Sequence, residues 1–245
     1  MTYCVGMWLD RGLVFMSDTR TNAGVDNIST ARKLFTFEKP GERFITILTS
    51  GNLATTQSVI SMLEERTKAP ADRSPSIMEA PSMFQVARIV GQTLREVIAT
   101  TADTGQQSES TFDATLIVGG QIADGPPRLF LIYPEGNFIE AGKGTPYFQI
   151  GETKYGRPIL VRAYEPEMSF EAAVKLLLVS FDSTIKANLS VGPPLDMQLY
   201  EIDSCKKGIS RRIVADDAYF QSISKGWGLA LKKAFDSLPD VTLDE

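Results

Sequence analysis

A threonine stands at position 2, directly behind Met1. Threonine is small enough for an initiator methionine to be removed from in front of it, which would leave a residue carrying both a hydroxyl and a free α-amine. Such an amine has an ordinary pKa of roughly 7.7–8.0, suited to accepting a proton near neutral pH. A threonine paired with its own amine is one of the ways to activate a weak nucleophile. Asp18, Lys33 and Gly51 have the types and spacing to complete that chemistry. The charge of Lys33 would lower the proton affinity of the hydroxyl, and Asp18 would hold Lys33 charged and oriented. The Gly51 backbone N–H, at a strand-to-helix junction, would stabilise an oxyanion. Taken singly, each residue is bland: an ordinary N-terminal residue, a strand-end turn, a solvated strand edge and a plain junction. Their order and spacing together are the signal.

The composition favours this apparatus by exclusion. The 245 residues contain no histidine. That removes Ser-His-Asp triads, Cys-His dyads and imidazole metal ligands. Cys4 and Cys205 are too few for cysteine-built zinc or iron–sulfur sites, so no metal and no cofactor is expected. Cys4, in a buried-looking strand, reads as core rather than nucleophile. The net charge of −5 argues against a nucleic-acid partner. No apolar run reaches the length of a membrane helix, and the N-terminus lacks a signal-peptide pattern, so a cytoplasmic protein is expected. Gly142-Lys143-Gly144-Thr145 lacks the lead of a phosphate-binding P-loop.

Elements must position these groups. Tyr3–Leu9 and Leu13–Ser17 read as strands around a three-residue turn, Asp10-Arg11-Gly12. In that register Leu9 pairs with Leu13 and Cys4 with Asp18, which makes Asp18 a diagonal neighbour of Thr2 at about 7–8 Å. A second hairpin runs from Lys33–Glu38 through Lys39-Pro40-Gly41 to Glu42–Leu48, bringing Lys33 and Thr49-Ser50-Gly51 to one end. Helices are expected at about 53–66 and 83–100, with a Pro/Ser-rich connection between them and a polar loop at 101–110 after them. Strands follow at 112–119, 128–133 and 138–141, then helices at 154–162 and 169–185, the latter capped by Ser169. Strands at 197–202 and 209–214 precede a last helix at 216–237, whose Trp227, Leu231 and Phe235 follow a packing stripe, an exposed part of which could meet a neighbouring subunit. This order describes a single α+β domain over residues 1–245, with sheets packed together and helices outside.

The chain resembles the proteasome β-subunit superfamily of N-terminal-nucleophile hydrolases across nearly its whole length. The resemblance is carried by Thr2, by Val14-Phe-Met-Ser-Asp18-Thr-Arg20, by Lys33-Leu34, and by Ser50-Gly51 entering a helix. Phe130–Gly136 and Met168–Leu176 extend it. Thr2-Tyr-Cys-Val-Gly6 and Asp18–Asp26 are most similar to the bacterial Anbu family, the proposed ancestral β-subunit. The resemblance implies a four-layer αββα sandwich, threonine-type hydrolysis of amide bonds in peptides or unfolded proteins, and a homo-oligomer built as a ring or an open spiral. It implies that Thr21, Asn22 and Thr49 line the substrate groove. An unfoldase partner has no signature in the sequence.

This chain departs from the superfamily pattern in two places. Gly151-Glu152-Thr153 stands where a small Gly-Ser-Gly is usual, and Asn188 with Val191 where an Asp and a Ser are usual, with Ser190 as a slipped candidate. Both changes alter the electrostatics around the amine. Two other readings therefore stay open: an N-terminal-nucleophile amidase for small amides, and an assembly subunit of the same fold with weak or no turnover.

Overall fold

The computed structural model describes residues 2–22, 28–68, 75–102 and 112–243. Met1, residues 69–74 of the Pro/Ser-rich connection and residues 103–110 of the polar loop lie outside them. The elements are β1 (Tyr3–Leu9), β2 (Gly12–Asp18), β3 (Arg20–Asn22), β4 (Ile28–Thr30), β5 (Leu34–Lys39) and β6 (Arg43–Gly51), then α1 (Leu53–Lys68) and α2 (Met83–Ala102). Next come β7 (Ala114–Ile122), β8 (Arg128–Ile132), β9 (Phe138–Glu140) and β10 (Tyr147–Gly151). The chain continues through α3 (Arg157–Ala163), α4 (Phe170–Ala187), β11 (Leu195–Glu201), β12 (Ser210–Ile213) and α5 (Ala218–Asp236).

Two five-stranded sheets, ordered β10-β1-β2-β11-β12 and β5-β6-β7-β8-β9, lie face to face; β3 and β4 pair separately. Every strand pairing within the two sheets is antiparallel. Cys4, Leu13, Phe15, Phe44, Leu48, Ile117, Phe148 and Tyr200 fill the space between them. The outer face of the second sheet buries Ile45, Ile47, Val118 and Phe130 against Val59, Leu63, Val90 and Leu94 of α1 and α2. The outer face of the first buries Tyr3, Val5, Met16 and Leu199 against Leu160, Leu177 and Phe181 of α3 and α4. Strands flanked by apolar layers on both sides account for the near-continuous apolar runs of β1, β2 and β6. The result is the expected αββα sandwich. None of the described helices is long and apolar enough to cross a membrane.

Four details differ from the sequence reading. The first hairpin turns on two residues, not three: Leu9 pairs with Gly12, and Cys4 with Ser17. Gly12 belongs to β2 with φ of +144°, and a Cβ there would stand 2.0 Å from the Tyr200 carbonyl oxygen. Its glycine therefore serves the close approach of β11 rather than the turn. Strand β10 was hidden by the Gly142–Pro146 stretch, where reciprocal hydrogen bonds between Gly142 and Thr145 close a tight turn. The short β3 and β4 were not legible. Helix α3 begins at Arg157 rather than at Lys154, with Pro158 in its first turn.

Candidate active site

Thr2 enters β1, an interior strand of the first sheet, and is buried. Both of its flanks are tied. Its carbonyl accepts the Glu152 N–H at 2.7 Å, and the following amide, Tyr3 N–H, donates to Asp18 Oδ1 at 3.0 Å. The first contact needs glycine at 151: φ is +84°, and a Cβ there would lie 1.9 Å from the Thr2 oxygen. The second follows from the hairpin register, since the one-residue change sets Asp18 beside Tyr3 instead of opposite Cys4. Tyr3 anchors the same stretch from its other end, its hydroxyl bonding Ser180 Oγ of α4 at 2.7 Å and accepting from Gln149 Nε2 of β10 at 2.6 Å.

Lys33 and Asp18 form a buried ion pair, Nζ to Oδ1 at 2.7 Å. Lys33 Nζ also donates to the Arg20 carbonyl at 2.6 Å, and Asp18 Oδ2 accepts the Gly192 N–H at 3.4 Å. Burial pushes the Asp18 carboxyl up, against the Lys33 ammonium and the Tyr3 and Gly192 amides that favour its ionised form. Such a pair adds little net stability, because desolvation offsets most of the attraction, yet loss of one partner strands the other. The second hairpin places Lys33. Its carbonyl accepts Thr49 N–H at 2.9 Å, continuing by one residue the pairing of Leu34 with Leu48.

Gly51 ends β6 opposite Ala114. Asn52 N–H bonds the Asp113 carbonyl at 2.9 Å, so ladder alternation makes Gly51–Ala114 a non-hydrogen-bonded pair. The Gly51 N–H is thereby turned away from β7, toward the side where β5 begins only at Leu34. It takes no part in that ladder. Asn52 then caps α1, its Oδ1 accepting from Thr55 N–H at 3.2 Å, which fixes the strand-to-helix turn. The backbone φ of Gly51 is +115°, and a Cβ would meet the Asp113 oxygen at 2.4 Å. The second sheet meets the end of β10 here, because Ser50 Oγ lies 3.0 Å from where a Gly151 Cβ would be.

Thr21 and Asn22 lie on β3, paired with Ser29 and Ile28. They follow Arg20, whose carbonyl receives Lys33. Thr49 is buried, with its carbonyl facing Cys4 Sγ at 3.6 Å. Burial raises the Cys4 thiol well above its ordinary range, consistent with a core role.

Asp18 thus bonds both Lys33 and the amide of Tyr3, the residue that follows Thr2. The sequence reading missed the loop that closes the site from behind. Arg20 Nη1 donates to the Leu189 carbonyl at 2.8 Å, Thr19 Oγ1 to the Pro194 carbonyl at 2.7 Å, and Gly192 N–H to Asp18. At the start of this loop Asn188 Nδ2 donates to Glu152 Oε2 at 2.9 Å, so the two departures noted separately in the sequence are one contact. Gly192-Pro193-Pro194 marks a chain reversal in the sequence, but nothing in it says where that reversal lands.

The proteasome subunit family model matches residues 2–197. Three solved structures are similar over nearly the whole chain. The Anbu (ancestral β-subunit) protein from Yersinia bercovieri is 46% identical, with 99% of this chain and 100% of that one covered and a TM-score of 0.90. Anbu from Hyphomicrobium sp. strain MC1 is 47% identical, with 98% and 100% covered and a TM-score of 0.90. The Pseudomonas aeruginosa Anbu complex, solved as a helical assembly, is 47% identical, with 98% of each chain covered and a TM-score of 0.90. No curated protein is matched. With the sandwich and a buried Thr2 at the head of β1, this match over most of the length shows that the chain belongs to the proteasome subunit family.

Proposed function

We propose that this chain is a threonine-type peptidase that cleaves amide bonds in peptides or unfolded proteins with Thr2 as nucleophile, once Met1 has been removed. The observation that carries the reading is the buried Lys33–Asp18 pair, bonded through the Tyr3 amide to the residue next to Thr2. The Thr2 hydroxyl gives its proton to the Thr2 amine as Oγ bonds to the substrate carbonyl carbon. Lys33, held charged by Asp18, favours the developing alkoxide. The Gly51 N–H receives the oxyanion, a contribution of about 2.7–4 kcal/mol for one such donor. Collapse breaks the C–N bond, the amine leaves with the proton returned from the α-ammonium, and water then hydrolyses the ester. Thr21, Asn22 and Thr49 form the walls along which the substrate strand lies. No residue in this sequence of steps needs an imidazole.

The same reading makes the chain a cytoplasmic homo-oligomer, a ring or an open spiral. Support comes from the helical assembly of the Pseudomonas aeruginosa Anbu complex and from the large apolar side chains exposed along α5. Intact mass combined with an epoxyketone that reacts with N-terminal threonine tests the enzyme. The expected result is loss of Met1 and one adduct on Thr2, abolished by Thr2→Ala together with peptide hydrolysis, a fall of about 10³-fold or more. A retained Met1, or no adduct at saturating reagent, overturns it. Comparing peptides with small amides separates a peptidase from an amidase.

A further inference from the structure

We infer that Glu152, oriented by Asn188, is a positioning residue whose carboxylate serves as counter-ion to the Thr2 α-ammonium during turnover. The inference rests on the reading of Thr2 as nucleophile. It starts from register. Tyr3 pairs with Gly151, so the next step of the ladder sets Thr2 across from Glu152, and the Glu152 N–H bond to the Thr2 carbonyl at 2.7 Å realises that step. Directly opposed, hydrogen-bonded residues have Cα atoms about 5.5 Å apart, a span that a glutamate side chain can cross.

Charge balance supplies the second strand. The groups around the nucleophile are Asp18 from β2, Lys33 ahead of β5, Arg20 from β3, the Cys4 thiol from β1, and Glu152. Asp18 and Lys33 neutralise one another, and Arg20 is directed at the Leu189 carbonyl. An ammonium created at a residue only 8% exposed therefore finds its uncommitted negative charge at Glu152, itself 8% exposed. Asn188 fixes one carboxylate oxygen at 2.9 Å, and its own Oδ1 accepts Ser190 N–H at 2.9 Å. Asn188 is also the C-terminal cap of α4, so the negative end of that helix dipole adds to the same field. The Glu152 carboxylate stays outside the path of the proton. The proton passes from Thr2 Oγ to the amine and from the amine to the leaving group, and the carboxylate stabilises the intermediate cation.

A counter-ion raises the proton affinity of the amine, so removing it moves the acid limb of the pH–rate profile to lower pH. The test is the pH dependence of Thr2 labelling by the epoxyketone, measured on the assembled wild-type protein and on Glu152→Gln, Glu152→Ala and Glu152→Asp. Both neutral variants are expected to shift the limb down by about one pH unit, with Glu152→Asp retaining the wild-type position. An unchanged limb in the neutral variants overturns the inference and leaves Thr2 as nucleophile. So does failure of both neutral variants to fold while Glu152→Asp folds, since Glu152 is then structural. Absence of any labelling in the wild type overturns the nucleophile reading itself, so the two failures are distinguishable.

Discussion

The Thr2 corner and helix α5 break opposite rules of burial. At the corner, Asp18 is inaccessible to solvent and Lys33 is 4% exposed, so charge is buried where apolar side chains would pack without a desolvation cost. Along α5, Leu229 is 72% and Phe235 75% exposed, while Phe220 is the buried residue of the helix. The remaining helices behave conventionally: α1 and α2 close over the second sheet, and α4 over the first. The difference teaches where each region's missing partner lies. The corner is complete within one chain, its charges satisfied by each other and by backbone groups. Helix α5 is capped by Asp217 and leans on α4, but its outer face has no complement within the described residues; in the proposed assembly a neighbouring subunit covers it.

The comparison breaks most visibly at Lys33. Lys33→Ala strands the Asp18 carboxylate in the interior, with an expected loss of about 3–5 kcal/mol in denaturant unfolding and no Thr2 labelling. Stability close to wild type would mean that the corner does not depend on its ion pair. Gly151→Ala comes next. A β-carbon at φ of +84° and 1.9 Å from the Thr2 oxygen forces the β10 end away from Thr2, at about 1–3 kcal/mol, with slower labelling as the specific sign.

Asp18 gives the corner a pH signature of its own. Its folded pKa is raised by burial above the unfolded value of about 3.9, so the folded state holds that proton to higher pH. Between the two values the unfolded chain binds fewer protons, and the wild type loses stability as pH rises. Unfolding measured from pH 4 upward should therefore show the wild type falling relative to Asp18→Asn. A difference that grows in favour of the wild type with rising pH would reverse the assignment and make the Lys33 attraction dominant. The smallest effect on the chain itself belongs to the helix. Leu229→Ser with Phe235→Ser should leave subunit stability within about 0.5 kcal/mol while lowering the native mass toward a monomer, read by native mass spectrometry. An unchanged assembly would place the interface elsewhere.

Much of the site was legible because hairpins convert sequence spacing into spatial order. Thr2 and Asp18 flank the first hairpin, Lys33 and Gly51 the second, and short-range pairing alone carries each pair to one end. The errors were local for the same reason. Gly12 looks like a turn glycine until Tyr200, nearly 190 positions away, is seen against it. The strand 147–151 is short and follows a turn-rich stretch, so its periodicity had too few residues to register.

The residue types alone pointed to the proposed chemistry: with no histidine, a threonine behind Met1, and a spaced aspartate and lysine, amine-assisted nucleophilic attack is the apparatus these side chains can build. The apolar runs likewise fixed that the strands would be buried on both faces. Only the tertiary structure decided that Asp18 meets the Tyr3 amide, that the Gly51 N–H points clear of β7, and that Glu152 and Asn188 become one contact. Those outcomes depend on which edges and loops pack together across long stretches of chain. That choice is made by the summed burial of two sheets and four helix faces, and no local spacing encodes it.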